Sequence, residues 1–99
     1  MSAVPVVAVV VAKEGSADIV REALTVLARA SRAEEACVSY DVHESAATPG
    51  AFVTIEHWRT EADIDGHLQS ELFQHAVKAT TGHLATAPVI HPLHPVLVG

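Results

Sequence analysis

The sequence predicts an α+β fold of order β-α-β-β-α-β, with a four-stranded antiparallel sheet and helices on one face. Three observations lead there. A β-branched run opens the chain, a helical stripe follows it, and two alternating runs then flank a Pro-Gly turn. No repeat, linker or low-complexity segment interrupts that order. Residues 1–99 therefore read as one domain, with a core over about 4–90 and a C-terminal edge strand or arm over about 91–99.

The opening run, Val4-Pro5-Val6-Val7-Ala8-Val9-Val10-Val11-Ala12, is rich in residues that favour extended backbone. Val4, Val6, Ala8 and Val10 share one parity, and Val7, Val9 and Val11 the other. A strand apolar on both faces is expected to be covered on both. Lys13-Glu14-Gly15 ends it, and Ser16 is the expected N-cap of a helix over 17–32. There Ile19, Val20, Ala23, Leu24, Leu27 and Ala30 recur at helical spacing, while Arg21, Glu22 and Arg29 stay off the stripe. Over 37–44, Val38, Tyr40 and Val42 alternate with Ser39, Asp41 and His43, which is strand periodicity. Residues 45–50 supply a turn, and the β-rich run 51–59 completes a hairpin.

Thr60, followed three residues later by Asp63, resembles a capping box and predicts a short helix to about residue 68. Ser70 is a second N-cap, and Leu72, Phe73, Ala76, Val77 and Leu84 predict a longer helix to about residue 85. Pro88 opens a last extended segment over 89–98. Its Pro92 and Pro95 cannot donate ladder hydrogen bonds, so it is expected at a sheet edge or partly as an arm. This order is the ferredoxin-like split unit.

Composition narrows the function. The chain is 49% apolar and 18% charged, the reverse of the disordered signature. Its net charge of −6, with six scattered Lys and Arg, argues against nucleic acid. The apolar run 3–12 is about half the roughly 20 residues a membrane span needs. Met-Ser-Ala carries no positive side chain ahead of it, unlike a signal peptide. Cys37, the single cysteine, cannot form an internal disulfide and fits a reducing compartment. A cytoplasmic protein without a membrane partner is the expectation. In the predicted topology both helical layers lie on one side of the sheet, leaving an opposite face on the order of 400 Å². Monomers seldom expose an apolar patch of that size, so a twin sheet in a two-fold homodimer is the expected cover. The alternative cover is the chain's own C-terminal arm.

Two motifs carry a family resemblance. The stretch Ser31-Arg-Ala-Glu34-Glu-Ala-Cys37-Val-Ser-Tyr40 resembles the helix-to-strand junction of the antibiotic biosynthesis monooxygenase family, Ser-Arg-x-Glu-x-Gly-Cys-x-x-Tyr. Phe52-Val-Thr-Ile-Glu56-His-Trp58-Arg-Thr-Glu-Ala, with His67 following, is similar to that family's E-x-W…H signature. The resemblance spans about residues 6–89. It implies a dimeric α+β barrel with a pocket between sheet and helices in each subunit. It further implies cofactor-independent oxidation of quinols or polycyclic phenols, or, as in other members, haem degradation or isomerisation of small sugar-like signals. Three departures matter. Ala36 replaces the motif's Gly, which bears on the strand entry, and Leu72 stands where many members carry a second helical histidine, with His75 three residues on. The haem-degrading branch uses an Asn on its first strand, and this chain has no Asn, which argues against haem.

Each candidate site residue also has a purely structural reading. His67 either moves protons, its ordinary pKa of ~6.5 suiting that work, or packs at a helix end. Trp58 is either an aromatic wall for a planar substrate or a core anchor with its indole N–H bonded to backbone. Glu56 shares Trp58's parity and is either a proton acceptor or a structural partner, bonded to Tyr40 or to the helix start near Thr60. Tyr40 either donates its hydroxyl to a substrate oxygen or packs in the core, and Phe73 adds a further ring to the substrate site. No metal is expected. His91 and His94 face opposite ways in a strand, and His75 and His83 lie about 80° apart around a helix. His43 and His57 across the hairpin would supply only two ligands. Cys37 reads as a small buried hydrophobe.

The first functional expectation is thus a homodimeric, cofactor-independent monooxygenase that oxidises a small aromatic quinol or phenol with O₂. The substrate stacks near Trp58 and loses a proton to His67, or to a water it holds. The alternatives are an isomerase using His67 as base, and a non-catalytic ligand-binding or structural dimer.

Overall fold

The computed structural model describes residues 3–99. Its elements follow the expected order: β1 (Val4–Val11), α1 (Ala17–Arg32), β2 (Cys37–Glu44), β3 (Ala51–Trp58), α2 (Glu61–Gln69), α3 (Glu71–Thr80) and β4 (Val89–Pro92). The strands form one sheet ordered β2-β3-β1-β4, and every neighbouring pair is antiparallel. This is the ferredoxin-like α+β arrangement.

Strand parity sets the two faces of the sheet. Val6, Ala8 and Val10 of β1 stand opposite Glu56, Thr54 and Phe52 of β3, and all six are buried. Leu27 and Ala28 of α1, Ile64 of α2 and Ala76 of α3 pack with Val6, Tyr40 and Trp58, while Val20 and Leu24 of α1 pack with Val10 and Phe52. The helices thus cover one face. On the other, Val7, Val9, Val11 and Val53 are half-buried, and Ile55 and Val89 are 38% and 49% exposed.

Several local expectations need correction. Ser16 is the N-cap residue of α1 as expected, but it makes no side-chain bond to the first turn, its hydroxyl pairing with His83 Nδ1 at 3.0 Å. The buried stripe of α1 runs through Ala28 and Ser31, while Ile19 lies at its edge, 44% exposed. Val38 does not share the inner face with Tyr40. The pairing passes from Cys37 opposite Trp58 to Ser39 opposite His57, and the bulge so formed turns Val38 outward, 63% exposed. α3 stops at Thr80 rather than near residue 85: Gly82 takes a positive φ of 81°, and Leu84 pairs instead with Ala12. β4 covers only four residues and bonds only to β1, as its prolines require. Beyond Pro92, Leu93 donates its N–H to the Pro5 carbonyl, and Val96, Leu97 and Val98 are exposed.

Candidate active site

The site is assembled by two strands and two short helices. Thr60 caps α2 by accepting the Asp63 N–H, and its hydroxyl donates to the Asp63 carboxylate at 2.8 Å. Ser70 caps α3 by accepting the Phe73 N–H, while its own hydroxyl donates to the His67 carbonyl at 2.6 Å. One serine therefore joins the end of α2 to the start of α3. That joint presents His67 and Phe73 to the sheet.

His67 is 4% exposed and lies in a nest of rings. Its imidazole sits 4.4 Å from the Trp58 ring at 37°, 5.9 Å from Tyr40, and 5.5 Å from Phe73 edge-on. Neither ring nitrogen has a hydrogen-bond partner, and Nδ1 lies 3.7 Å from Glu34 Oε2. Burial pulls the imidazole down from 6.5 to about 4, so it is neutral near pH 7.

Glu56 has a role the sequence indicated only in outline. Its carboxylate accepts from Thr54 Oγ1 at 2.7 Å and from Trp58 Nε1 at 2.9 Å. It is bonded neither to Tyr40 nor to the helix start at Thr60, and the Trp58 indole donates to this carboxylate rather than to backbone. Residues 54, 56 and 58 share one strand face, so Glu56 reaches both neighbours along β3. Burial raises the Glu56 pKa while those two hydrogen bonds oppose the rise. Burial, with Glu56 nearby, also holds the Tyr40 phenol well above its ordinary value, keeping it a proton donor. The Cys37 thiol is raised by burial and by neighbouring carboxylates, Glu34 first, so it is no activated nucleophile.

Between the sheet and α1, α2 and α3 lies a mostly apolar cavity of about 60 Å³. Val6, Leu27 and Ile64 are among its apolar walls, and Tyr40, Glu56 and His67 among its polar ones. Phe73 reaches it and Trp58 does not: the tryptophan stands behind His67, facing an outer groove shared with Glu34 and Asp63. The expected aromatic wall is therefore a backing layer, its buried indole bonded to Glu56. Leu72 half-buries against the core and His75 faces a separate groove between α1 and α3, so neither brings a second histidine to the cavity. Ala36 adopts no positive φ, so the missing glycine strains nothing. His43 stands opposite Val53, and His57 opposite Ser39, so those two histidines do not meet. Among the described residues, no three His, Cys, Asp or Glu side chains group as metal ligands. Thr54 and Glu34 were the site residues not singled out. Thr54's signal was its shared parity with Glu56, and Glu34's was its place in the motif before Cys37.

The model of the antibiotic biosynthesis monooxygenase family matches residues 3–79. The chain belongs to this family. PA3566 from Pseudomonas aeruginosa is 27% identical with a TM-score of 0.88, covering 98% of this chain and 97% of its own. Rv0793 from Mycobacterium tuberculosis is 27% identical with a TM-score of 0.87, covering 98% of each chain. A solved structure described as an antibiotic biosynthesis monooxygenase is 29% identical with a TM-score of 0.87, covering 95% of this chain and 99% of its own. In sequence, the chain is 34% identical over 55 residues to the uncharacterized protein sll1783 of Synechocystis, a match over 56% of this chain and 37% of that protein. The chain thus spans well under two thirds of that relative's length.

Proposed function

We propose that this chain is a cofactor-independent monooxygenase that oxidises a small aromatic quinol or phenol with O₂. The observation that carries the proposal is His67: a buried, neutral imidazole with both nitrogens unpartnered, on the wall of an apolar cavity. A buried polar group without partners is costly, and a substrate hydroxyl would satisfy it. His67 takes the ring's hydroxyl proton, and Tyr40 donates to the oxygen anion left behind. The electron-rich anion then reduces O₂, and the dry walls shield the radical pair from solvent. One oxygen atom enters the ring and the other leaves as water. All four electrons come from the substrate, so no cofactor is needed. Glu56 and Trp58 hold the ring nest in place, and Phe73 closes it.

Family membership supports the reaction class, and the apolar open sheet face supports a homodimer. The lone thiol Cys37 fits a reducing cytoplasm. No helix among the described residues is long and apolar enough to cross a membrane. The test is oxygen uptake on reduced menadione-like quinols and anthrones, with autoxidation subtracted. Protein-dependent uptake is expected, falling to background in His67→Ala. No such uptake for any ring substrate would refute the proposal.

One observation favours a second reading, a binding protein without turnover. A cavity of about 60 Å³ holds roughly two waters at ~30 Å³ each, so a ring must displace its walls to enter. Calorimetry separates the two: ring binding without oxygen uptake identifies the non-catalytic protein.

A further inference from the structure

His67 lines two spaces at once. It is on the wall of the inner cavity, and it is also on the wall of the outer groove that holds Glu34, Trp58, Arg59 and Asp63. Among the described residues, no other lines both. The imidazole is therefore a partition one ring thick. On the groove side Nδ1 points toward Glu34 Oε2 at 3.7 Å, and the Glu34 side chain is 34% exposed. Nε2, the other ring nitrogen, is likewise buried and without a partner.

We propose that Glu34 is a positioning residue that relays protons between His67 and solvent through the outer groove. This rests on the reading of His67 as the base for a ring hydroxyl. A substrate O–H gives its proton to Nε2 as the Nδ1 proton passes to the Glu34 carboxylate. The ring stays neutral throughout and changes tautomer, the substrate becomes an anion, and Glu34 becomes a carboxylic acid. Glu34 then releases the proton to solvent, and the ring regains its first tautomer when Nε2 gives its proton to the reduced oxygen that leaves as water and Nδ1 takes one back from solvent through Glu34. No redox partner is involved.

The relay answers a difficulty that His67 alone would face. A ring pulled down to about 4 by burial is a weak base for a phenol of pKa ~10. Passing the charge outward avoids a buried imidazolium, the species burial penalises. The 3.7 Å approach is longer than a hydrogen bond. It closes by rotation of the partly exposed Glu34 side chain. Burial also raises the Glu34 pKa, which suits a carboxylate that must take up a proton. The titratable and charged groups around the ring are Glu34 from the turn before β2, Tyr40 from β2 and Glu56 from β3. Glu35, Arg59 and Asp63 stand across the groove, and α3 contributes the uncharged Phe73.

The experiment is ¹⁵N-histidine NMR on the whole protein, with the His67 signals assigned by their loss in His67→Leu. In Glu34→Gln, exchange of the His67 ring proton with water at pH 7 should slow at least tenfold, because the carboxylate that takes the Nδ1 proton is gone. Glu34→Asp, which keeps a carboxylate, should restore part of that rate. A packing role for Glu34 would leave the exchange rate unmoved. Equal exchange rates in wild type and both variants would overturn the relay. These readouts need no turnover. An absent NMR effect with oxygen uptake intact removes the relay alone, and the effect without uptake removes the monooxygenase reading alone.

Discussion

At the scale of residues, the site is organised by what burial costs each polar group. Glu56 meets that cost with two hydrogen bonds, whereas His67 meets it by staying neutral. The difference makes a prediction about pH. The unfolded chain protonates His67 near 6.5 and the folded chain only near 4, so the unfolded state binds more protons between those values. Folding should weaken as pH falls through that window, by up to about 3 kcal/mol from this residue. Glu56 acts in the opposite sense. Its raised folded pKa lets the native state take a proton first, so stability grows as pH falls through the window above 4.5. Urea titrations at pH 7 and pH 4, on wild type and His67→Leu, isolate the histidine because Glu56 is common to both. The acid-side loss should shrink in the variant, and an equal loss in the two proteins would refute the assignment. Alternation along 51–59 was enough to put Glu56 and Trp58 on one face. It could not say that Glu56 would choose its same-strand neighbours over Tyr40, because that choice depends on rotamers fixed by packing.

At the scale of elements, periodicity predicted the long helix and the hairpin well, and tertiary contacts decided the rest. α1 spans the predicted residues because an uninterrupted apolar stripe faces the sheet. α3 falls short of its predicted end, since Leu84 continues the apolar spacing by chance while Gly82 has already turned the chain. The bulge at Val38 was hidden for a related reason: alternation is a property of one strand, and register belongs to two. The two predicted serine caps separate in the same manner. Ser70 caps its helix and also holds the His67 carbonyl, whereas Ser16 has turned to His83. Ser70→Ala should cost about 1–2 kcal/mol and shift the His67 ring resonances, because both bonds of the α2–α3 joint are lost. Ser16→Ala should cost less, about 0.5–1 kcal/mol for one hydrogen bond, and leave His67 undisturbed. Denaturant midpoints and the histidine spectrum check both. Unchanged His67 resonances in Ser70→Ala would remove the joint from the account of the site.

At the scale of the whole molecule, the unresolved asymmetry is the second face of the sheet. β1 is apolar on both parities, yet helices cover only the face of Val6, Ala8 and Val10. The opposite centre, Val7, Val9, Val53 and Ile55, has no layer over it, and a polar margin of Ser39, Asp41 and His43 runs along β2. The C-terminal arm does not serve as the cover, because Val96, Leu97 and Val98 are themselves exposed. A two-fold partner presenting the same surface would bury the valines of both copies at once, and the polar margin would form its rim. Light scattering should therefore give twice the 10.4 kDa chain mass at micromolar concentration. Ile55→Lys is the informative variant. Ile55 is already 38% exposed in the single chain, so the folded monomer tolerates a lysine whose charged end reaches water. A two-fold interface meets the substitution twice and must bury two like charges near its centre, which costs far more than the dimer can bear. The variant should scatter as a monomer with an unchanged far-UV spectrum. A wild-type chain that scatters as a monomer, or an Ile55→Lys chain that stays dimeric, would mean that this face is not where two copies meet.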